Sequence, residues 1–294
     1  MHGCLQSPIA VLSELPADLS DQVSRALRED IGSGDVTADL IAAAAPAQAR
    51  VLCREAAVIC GAPWFDETFR QLDPAVRVDW HFAEGAGAPA NSILCELAGP
   101  VRAILTGERT ALNFLQLLSA TATITQRYVE AILGTRCRIL DTRKTIPGLR
   151  SAQKYAVRCG GGSNHRMGLY DMVLIKENHI AAAGSIGAAV SAARGRVPAL
   201  QVEVEVENIA QLRQALDARA DLVMLDNFEL ESLRSAVALN RAHERPALLE
   251  CSGGVTLERI AAIAATGVDY ISVGSLTKNI DAVDLSMRFG APAR

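Results

Sequence analysis

The stretch Gln201–Asp226, QVEVEVENIAQLRQALDARADLVMLD, decides the fold. It opens on an apolar run in which valines alternate with glutamates. It passes through Asn208–Arg219, which reads as a helix, and ends in the apolar run Leu222–Leu225. Strand, helix and strand at this spacing form one βαβ unit, and a helical crossover makes the two strands parallel. Outward from this unit the same alternation recurs. Arg138–Asp141, Met172–Ile175, Ala247–Cys251 and Tyr270–Val273 are further strand-like runs, and Glu229–Asn240 and Thr256–Thr266 are further helix-like segments.

Polar residues fall at one place in each unit. Arg143 and Lys144 follow the first run, Lys176 the second, and Glu205 with Glu207 ends the third. Asp226, Ser252 and Gly274-Ser275 close the fourth, fifth and sixth. Polar groups at the C-terminal ends of successive parallel strands mark the working face of an α/β barrel. An open doubly wound sheet would gather them at one switch point instead. The first half reads differently, as a mixed α+β domain. Ile9–Asp30 reads as a helix, and Arg50–Cys60, Val76–Phe82, Ser92–Ala98 and Val101–Ile104 as strand regions. Gly107–Leu133 reads as a long helix with a core stripe at Leu112, Leu115, Leu118 and Ile124.

Composition narrows the function. The chain has 294 residues and a net charge of −4, which speaks against nucleic acid as the main partner. Residues 138–178 hold eight Lys or Arg against three Asp or Glu, a local +5, so the rest of the chain carries −9. An acidic protein that concentrates cations in one segment is suited to a small polyanion. No uncharged apolar run reaches the roughly 18 residues of a membrane helix. The N-terminal residues lack a basic stretch followed by an apolar core. The expectation is a cytoplasmic protein without a membrane partner. Seven scattered cysteines without a Cys-x-x-Cys pair read as reduced, packed thiols.

The chemistry-bearing clusters follow the strand ends. In DTRKTIPGLR (141–150), Thr142, Arg143 and Lys144 leave a strand where Pro147-Gly148 signals a turn. Arg offers a planar fork to a carboxylate or phosphate, and Lys offers a mobile point charge. CGGGSNHR (159–166) combines a glycine loop able to expose backbone N–H groups with His165 and Arg166. Lys176 at a strand end suits an anion ligand or a Schiff-base nucleophile, and the residues alone leave both open. Glu203, Glu205 and Glu207 share one strand face, which is either a solvated edge face or, on a buried strand, one that lines a polar lumen or binds cations. Glu205 and Asp226 suit ribose hydroxyls, directly or through Mg²⁺. The turns Ser252-Gly253-Gly254 and Val273-Gly274-Ser275 follow the last two strands, where barrels frequently bind phosphate through backbone N–H groups.

The runs DTRKTIPGLR, CGGGSNHRMGLYDMVLIKENHI, VEVEVEN, DLVMLDNF, ECSGGVT and VGSLTKNIDAVDLSMRF resemble the quinolinate phosphoribosyltransferase family, as do EDIGSGDVT and GERTALNFLQLLS. The likeness spans Glu29–Phe289, with departures at Ser275 and Asn279 that leave the charged set intact. It implies an N-terminal α/β sandwich over 1–124, completed by 280–294, and an incomplete TIM-like α/β barrel over 125–279. It implies phosphoribosyl transfer from phosphoribosyl pyrophosphate to quinolinate with decarboxylation, with Mg²⁺ accompanying the pyrophosphate and no tightly bound organic cofactor. It further implies a homodimer in which Arg109 reaches the neighbouring active site. Arg143, His165, Arg166 and Lys176 would surround the quinolinate carboxylates. Lys144, Glu205 and Asp226 would face phosphoribosyl pyrophosphate, and Ser252–Gly254 with Val273–Ser275 would hold its 5′-phosphate. The rival readings are a transferase for a monocarboxylate such as nicotinate, a Schiff-base aldolase on Lys144 or Lys176, and a non-enzymatic phosphate-binding barrel.

Overall fold

The computed structural model describes residues 15–42 and 45–290. In chain order its elements are α1 (Leu19–Ile31), β1 (Pro46–Cys53), β2 (Ala57–Val58), α2 (Ala62–Leu72), β3 (Arg77–Trp80), β4 (Gly87–Ala88), β5 (Ser92–Pro100) and α3 (Val101–Glu130). There follow β6 (Arg138–Leu140), α4 (Arg150–Cys159), β7 (Val173–Ile175), α5 (Glu177–Ala183), α6 (Ile186–Arg196), β8 (Val202–Val206) and α7 (Ile209–Asp217). The chain continues through β9 (Leu222–Asp226), α8 (Leu230–Ala242), β10 (Leu248–Ser252), α9 (Leu257–Ala264), β11 (Tyr270–Ser272), α10 (Ser275–Lys278) and β12 (Leu285–Phe289). Two compact units divide it. One takes the chain up to Gln126, Thr145–Gly161 and the chain from Leu276 on; the other takes Arg127–Lys144 and Gly162–Ser275. The excursion Thr145–Gly161 with α4 thus groups with the first unit, whereas the sequence reading runs the barrel unbroken over 125–279.

The first unit is built on an antiparallel sheet in the order β12-β1-β5-β3. Strand period two puts Ala49, Val51 and Cys53 of β1 inward, and they pack with Phe65 and Phe69 of α2 and Ile104, Leu112 and Leu115 of α3. Burying each such large side chain contributes about 1.5–3 kcal/mol. Three local expectations are corrected. The described part of the expected Ile9–Asp30 helix starts at Leu19, because Pro16 disfavours helical backbone before it; residues 9–14 lie outside the described residues. The expected Arg50–Cys60 strand ends at Cys53 and resumes as β2, which pairs with β4. Val101–Ile104, read as strand, is the first turn of α3. The buried stripe Ile104, Ala111, Leu115 and Leu118 at helical spacing overrides local propensity.

The second unit holds six parallel strands in the order β6-β11-β10-β9-β8-β7, and all six runs read as strands from sequence are among them. The barrel is incomplete between β6 and β7. There the loop at Ser163 runs beside β6, with the Ser163 N–H donating to the Ile139 carbonyl at 2.8 Å and the Asp141 N–H to the Ser163 carbonyl at 3.2 Å. Outside the strands, α7, α8 and α9 bury Leu212 and Leu216, Leu233 and Val237, and Ile260 and Ile263. Asn208 caps α7 by accepting the Gln211 N–H at 3.0 Å. Among the described residues, no helix is long and apolar enough to cross a membrane.

Gly160, just past α4, is pressed against α3. A Cβ there would lie 2.3 Å from the Ala122 carbonyl oxygen and 2.7 Å from Thr125 Cβ. Gly160→Ala is therefore expected to cost about 1–3 kcal/mol through overpacking, read as a lower urea midpoint. An unchanged midpoint would contradict this packing.

Candidate active site

The C-terminal ends of the parallel strands surround a cleft of about 510 Å³. It gathers Thr142, Arg143 and Lys144 from the end of β6, His165 and Arg166 from the Ser163 loop, and Lys176 from the end of β7. Glu205, Asp226, Ser252 and Gly253 complete the lining. A larger hollow of about 660 Å³ in the first unit is lined by Arg25 together with Glu29 and Asp30, the wrong charge balance for a polyanion.

Three of the cations are held by local devices. Thr142 Oγ1 accepts the Lys144 N–H at 3.0 Å, a short turn that lifts Lys144 off the strand end. A Cβ on Gly274 would stand 3.1 Å from Lys144 Cδ, so the lysine stem lies over that glycine. Lys176 forms a salt bridge with Glu205. Arg166 sends its guanidinium to the Met172 carbonyl at 3.3 Å. Burial, and then the like charge of Arg143, push the Arg166 guanidinium down, while Glu203 and Asp171 act in the other direction.

Beneath the cations lies a buried acid layer that sequence reasoning only partly finds. Glu203 and Glu250 are fully buried. His165 Nδ1 accepts the Arg166 N–H at 2.7 Å, which assigns the ring proton to Nε2. Nε2 lies 3.0 Å from Glu203 Oε2 and 3.4 Å from Glu250 Oε2. Asp141, also fully buried, accepts the His165 backbone N–H at 2.9 Å and the Asn164 amide at 2.6 Å. The donor atoms of His165, Glu203 and Glu250 all lie within 4.8 Å of one another, a spacing that could also hold a cation. Burial raises the Glu203 carboxyl to about 7. Burial and the neighbouring Glu203 raise Glu250 to about 8.

The remaining expected residues fall as follows. Asp226 lies at the end of β9, its carboxylate accepting the Asn227 amide at 2.7 Å. Gly253 has φ +90°, and a Cβ there would meet Asn227 Oδ1 at 2.2 Å, so only glycine fits this turn. Gly254, Val273, Gly274 and Ser275 are not in the cleft wall. Val273 is buried, with its N–H on the Leu140 carbonyl at 2.9 Å. Ser275 opens α10, and its buried Oγ has no hydrogen-bond partner among the described residues. Glu207 is exposed ahead of α7 rather than in the cleft. Arg109 is exposed on α3 in the first unit. Sequence reasoning misses Glu250, although a glutamate inside the apolar run LLECS is itself a signal of a polar lumen.

The raised carboxyls make stability pH-dependent. The folded state holds protons that the unfolded chain, with carboxyls near 4.5, gives up. This contribution favours folding at low pH and is lost as pH rises toward 7 to 8. The melting temperature of the wild type should therefore fall relative to that of Glu250→Gln between pH 4.5 and pH 8. Parallel curves would contradict the buried acid layer.

Comparison with known proteins bears on the chain as a whole. Residues 121–288 match the family model "Quinolinate phosphoribosyl transferase, C-terminal domain", and residues 35–119 match its N-terminal counterpart. The chain is 40% identical over 285 residues to a protein of Mycobacterium leprae named nicotinate-nucleotide pyrophosphorylase [carboxylating], covering 94% of this chain and 99% of that one. The human protein of the same name is 37% identical over 279 residues, covering 94% and 93%. The solved structure of the nicotinate-nucleotide pyrophosphorylase from Francisella tularensis superposes with a TM-score of 0.91 at 48% identity, over 95% of this chain and 99% of that one.

Proposed function

The chain belongs to the quinolinate phosphoribosyltransferase family, and from that premise we propose that it joins phosphoribosyl pyrophosphate to quinolinate with loss of CO₂. The products are nicotinate mononucleotide, pyrophosphate and CO₂, a step in the de novo synthesis of NAD. The observation that carries this reading is the gathering of Arg143, Lys144, Arg166 and Lys176 in one cleft together with Glu205 and Asp226. Both substrates are polyanions, and each charge-assisted hydrogen bond to them contributes about 1.5–3 kcal/mol. A ring with two carboxylates fits several cations better than a ring with one.

Arg143, Arg166 and Lys176 hold the ring carboxylates. His165, whose ring nitrogens are engaged by the Arg166 N–H and Glu203, fixes Arg166 and closes the cleft behind the ring. Lys144, with the Thr142 turn beneath it, faces phosphoribosyl pyrophosphate. Ser252 and Gly253 of the cleft lining receive the 5′-phosphate, with Gly254 beside them and with the turn Val273–Ser275, which follows the lining residue Ser272 and carries Gly274 next to the Lys144 stem. The carboxylates of Glu205 and Asp226 flank the ribose as it gains oxocarbenium character, and their oxygens also fit a hard cation. Glu205 and Asp226 would hold the Mg²⁺ that accompanies phosphoribosyl pyrophosphate, and such an ion would neutralise charge on the pyrophosphate leaving group. The pyridine nitrogen then bonds to the anomeric carbon. Its positive charge stabilises the electron pair left at C2 as CO₂ departs, and Lys144 or Lys176 supplies the proton that C2 takes up. The active form is a homodimer in the cytoplasm, with Arg109 of each copy serving its neighbour's site; the exposure of Arg109 on α3 supports this.

The test is release of CO₂ and pyrophosphate from purified protein given phosphoribosyl pyrophosphate, Mg²⁺ and either quinolinate or nicotinate. Both products with quinolinate alone are expected. Turnover of nicotinate would overturn the dicarboxylate assignment, and inactivity with both acids would overturn the transferase reading.

A further inference from the structure

A second chemical cluster lies in the first unit. Cys60 stands just before α2, and Cys159 is the last residue of α4. Their sulfurs and a carboxylate oxygen of Glu84 all lie within 4.8 Å of one another. Cys60 is fully buried and Cys159 partly exposed. Cys60 is clamped by Ser119, whose Oγ accepts the Cys60 N–H at 3.0 Å and donates to its carbonyl at 3.1 Å. Glu84 is fixed too. Its two oxygens accept the backbone N–H groups of Gly61 at 2.7 Å and Ala62 at 3.0 Å. The Cys60 thiol and the Tyr155 hydroxyl act on the Glu84 carboxyl in the same direction, holding it down against the effect of burial. The phosphoribosyl chemistry uses none of these groups.

We propose that Cys60 and Cys159 form a reversible disulfide under peroxide, with Glu84 as the base for the buried Cys60 thiol. The partly exposed Cys159 meets the oxidant first. Its thiolate attacks one peroxide oxygen, the O–O bond breaks, and Cys159 becomes a sulfenic acid while hydroxide takes up the proton the thiol lost. Glu84 then accepts the Cys60 proton as the Cys60 sulfur attacks Cys159. The S–O bond breaks, and the leaving hydroxide takes a proton to become water. Two thiols and one peroxide thus give one disulfide and two waters.

The surroundings suit this order of events. Burial pushes the Cys60 thiol well up, so it stays protonated until its partner is oxidised. Burial also raises the Glu84 carboxyl, which makes it a better proton acceptor. The two sulfurs start within 4.8 Å of each other. Bond formation then brings them to about 2.05 Å. The expectation of reduced, packed thiols describes the resting state of this pair.

The test treats the full-length protein with a small molar excess of hydrogen peroxide, blocks free thiols, and maps the peptides by mass. The expected product joins the peptides of Cys60 and Cys159 and is lost on reduction with dithiothreitol. In Cys60→Ala, Cys159 should instead stop at a sulfenic acid that dimedone captures. In Glu84→Gln, cross-linking should slow on the order of tenfold or more. Free Cys60 and Cys159 after peroxide treatment of the wild type would overturn the proposal, as would a metal ion that co-purifies with the protein and shields both thiols. An unchanged rate in Glu84→Gln would overturn the role of Glu84.

Discussion

Two carboxylates, Glu203 and Glu250, sit entirely out of water in the barrel lumen, and the cations at the cleft stand over them. Two unit charges 4 Å apart interact by about 4 kcal/mol at the effective dielectric of a protein surface, against about 1 kcal/mol in water. Arg143 and Arg166 repel each other across the cleft, and Glu203 offsets part of that cost at Arg166. The acid layer has its own cost of burial, which the raised carboxyls reveal. His165 joins the two levels, with one ring nitrogen on Glu203 and the other on the Arg166 backbone.

The scaffold makes this arrangement possible. Parallel strands end on one side, so residues far apart in sequence converge there. Strand alternation sends Val202, Val204 and Val206 into the apolar packing and leaves Glu203 and Glu205 for the lumen. Close approaches then fix the loops, as Gly253 does against Asn227 and Gly274 beneath Lys144. The gap between β6 and β7 has a use as well. A closed barrel would leave no place for the Ser163 loop, which carries His165 and Arg166 to the cleft.

Much of this is legible in the residues. The six apolar runs are strands because apolar runs bounded by turns and followed by helical segments have few alternatives. Arg143, Lys144, Lys176, Glu205 and Asp226 are visible because charges just past such runs fall at strand ends. The depth of Glu203 is not visible, since period two puts it on the face of Glu205 without saying how far from water it lies. Glu250 gives a weaker cue, one acid inside an apolar strand, and its partner His165 lies far away in sequence. Val101–Ile104 misleads because β-branched residues favour strands, while the helical stripe that decides the case extends beyond them. The excursion of α4 into the first unit depends on contacts such as Gln22 with Ser151 at 2.6 Å, which no local pattern encodes.

The central claim is that these cations are matched to two carboxylates on one ring. Calorimetric titration of quinolinate and of nicotinate into the wild type and into Arg143→Ala tests it most directly. The account predicts that the wild type binds quinolinate tighter by about tenfold or more, roughly 1.4 kcal/mol, and that Arg143→Ala narrows that gap. Equal affinity for the two acids, or a gap unchanged by the substitution, would contradict it.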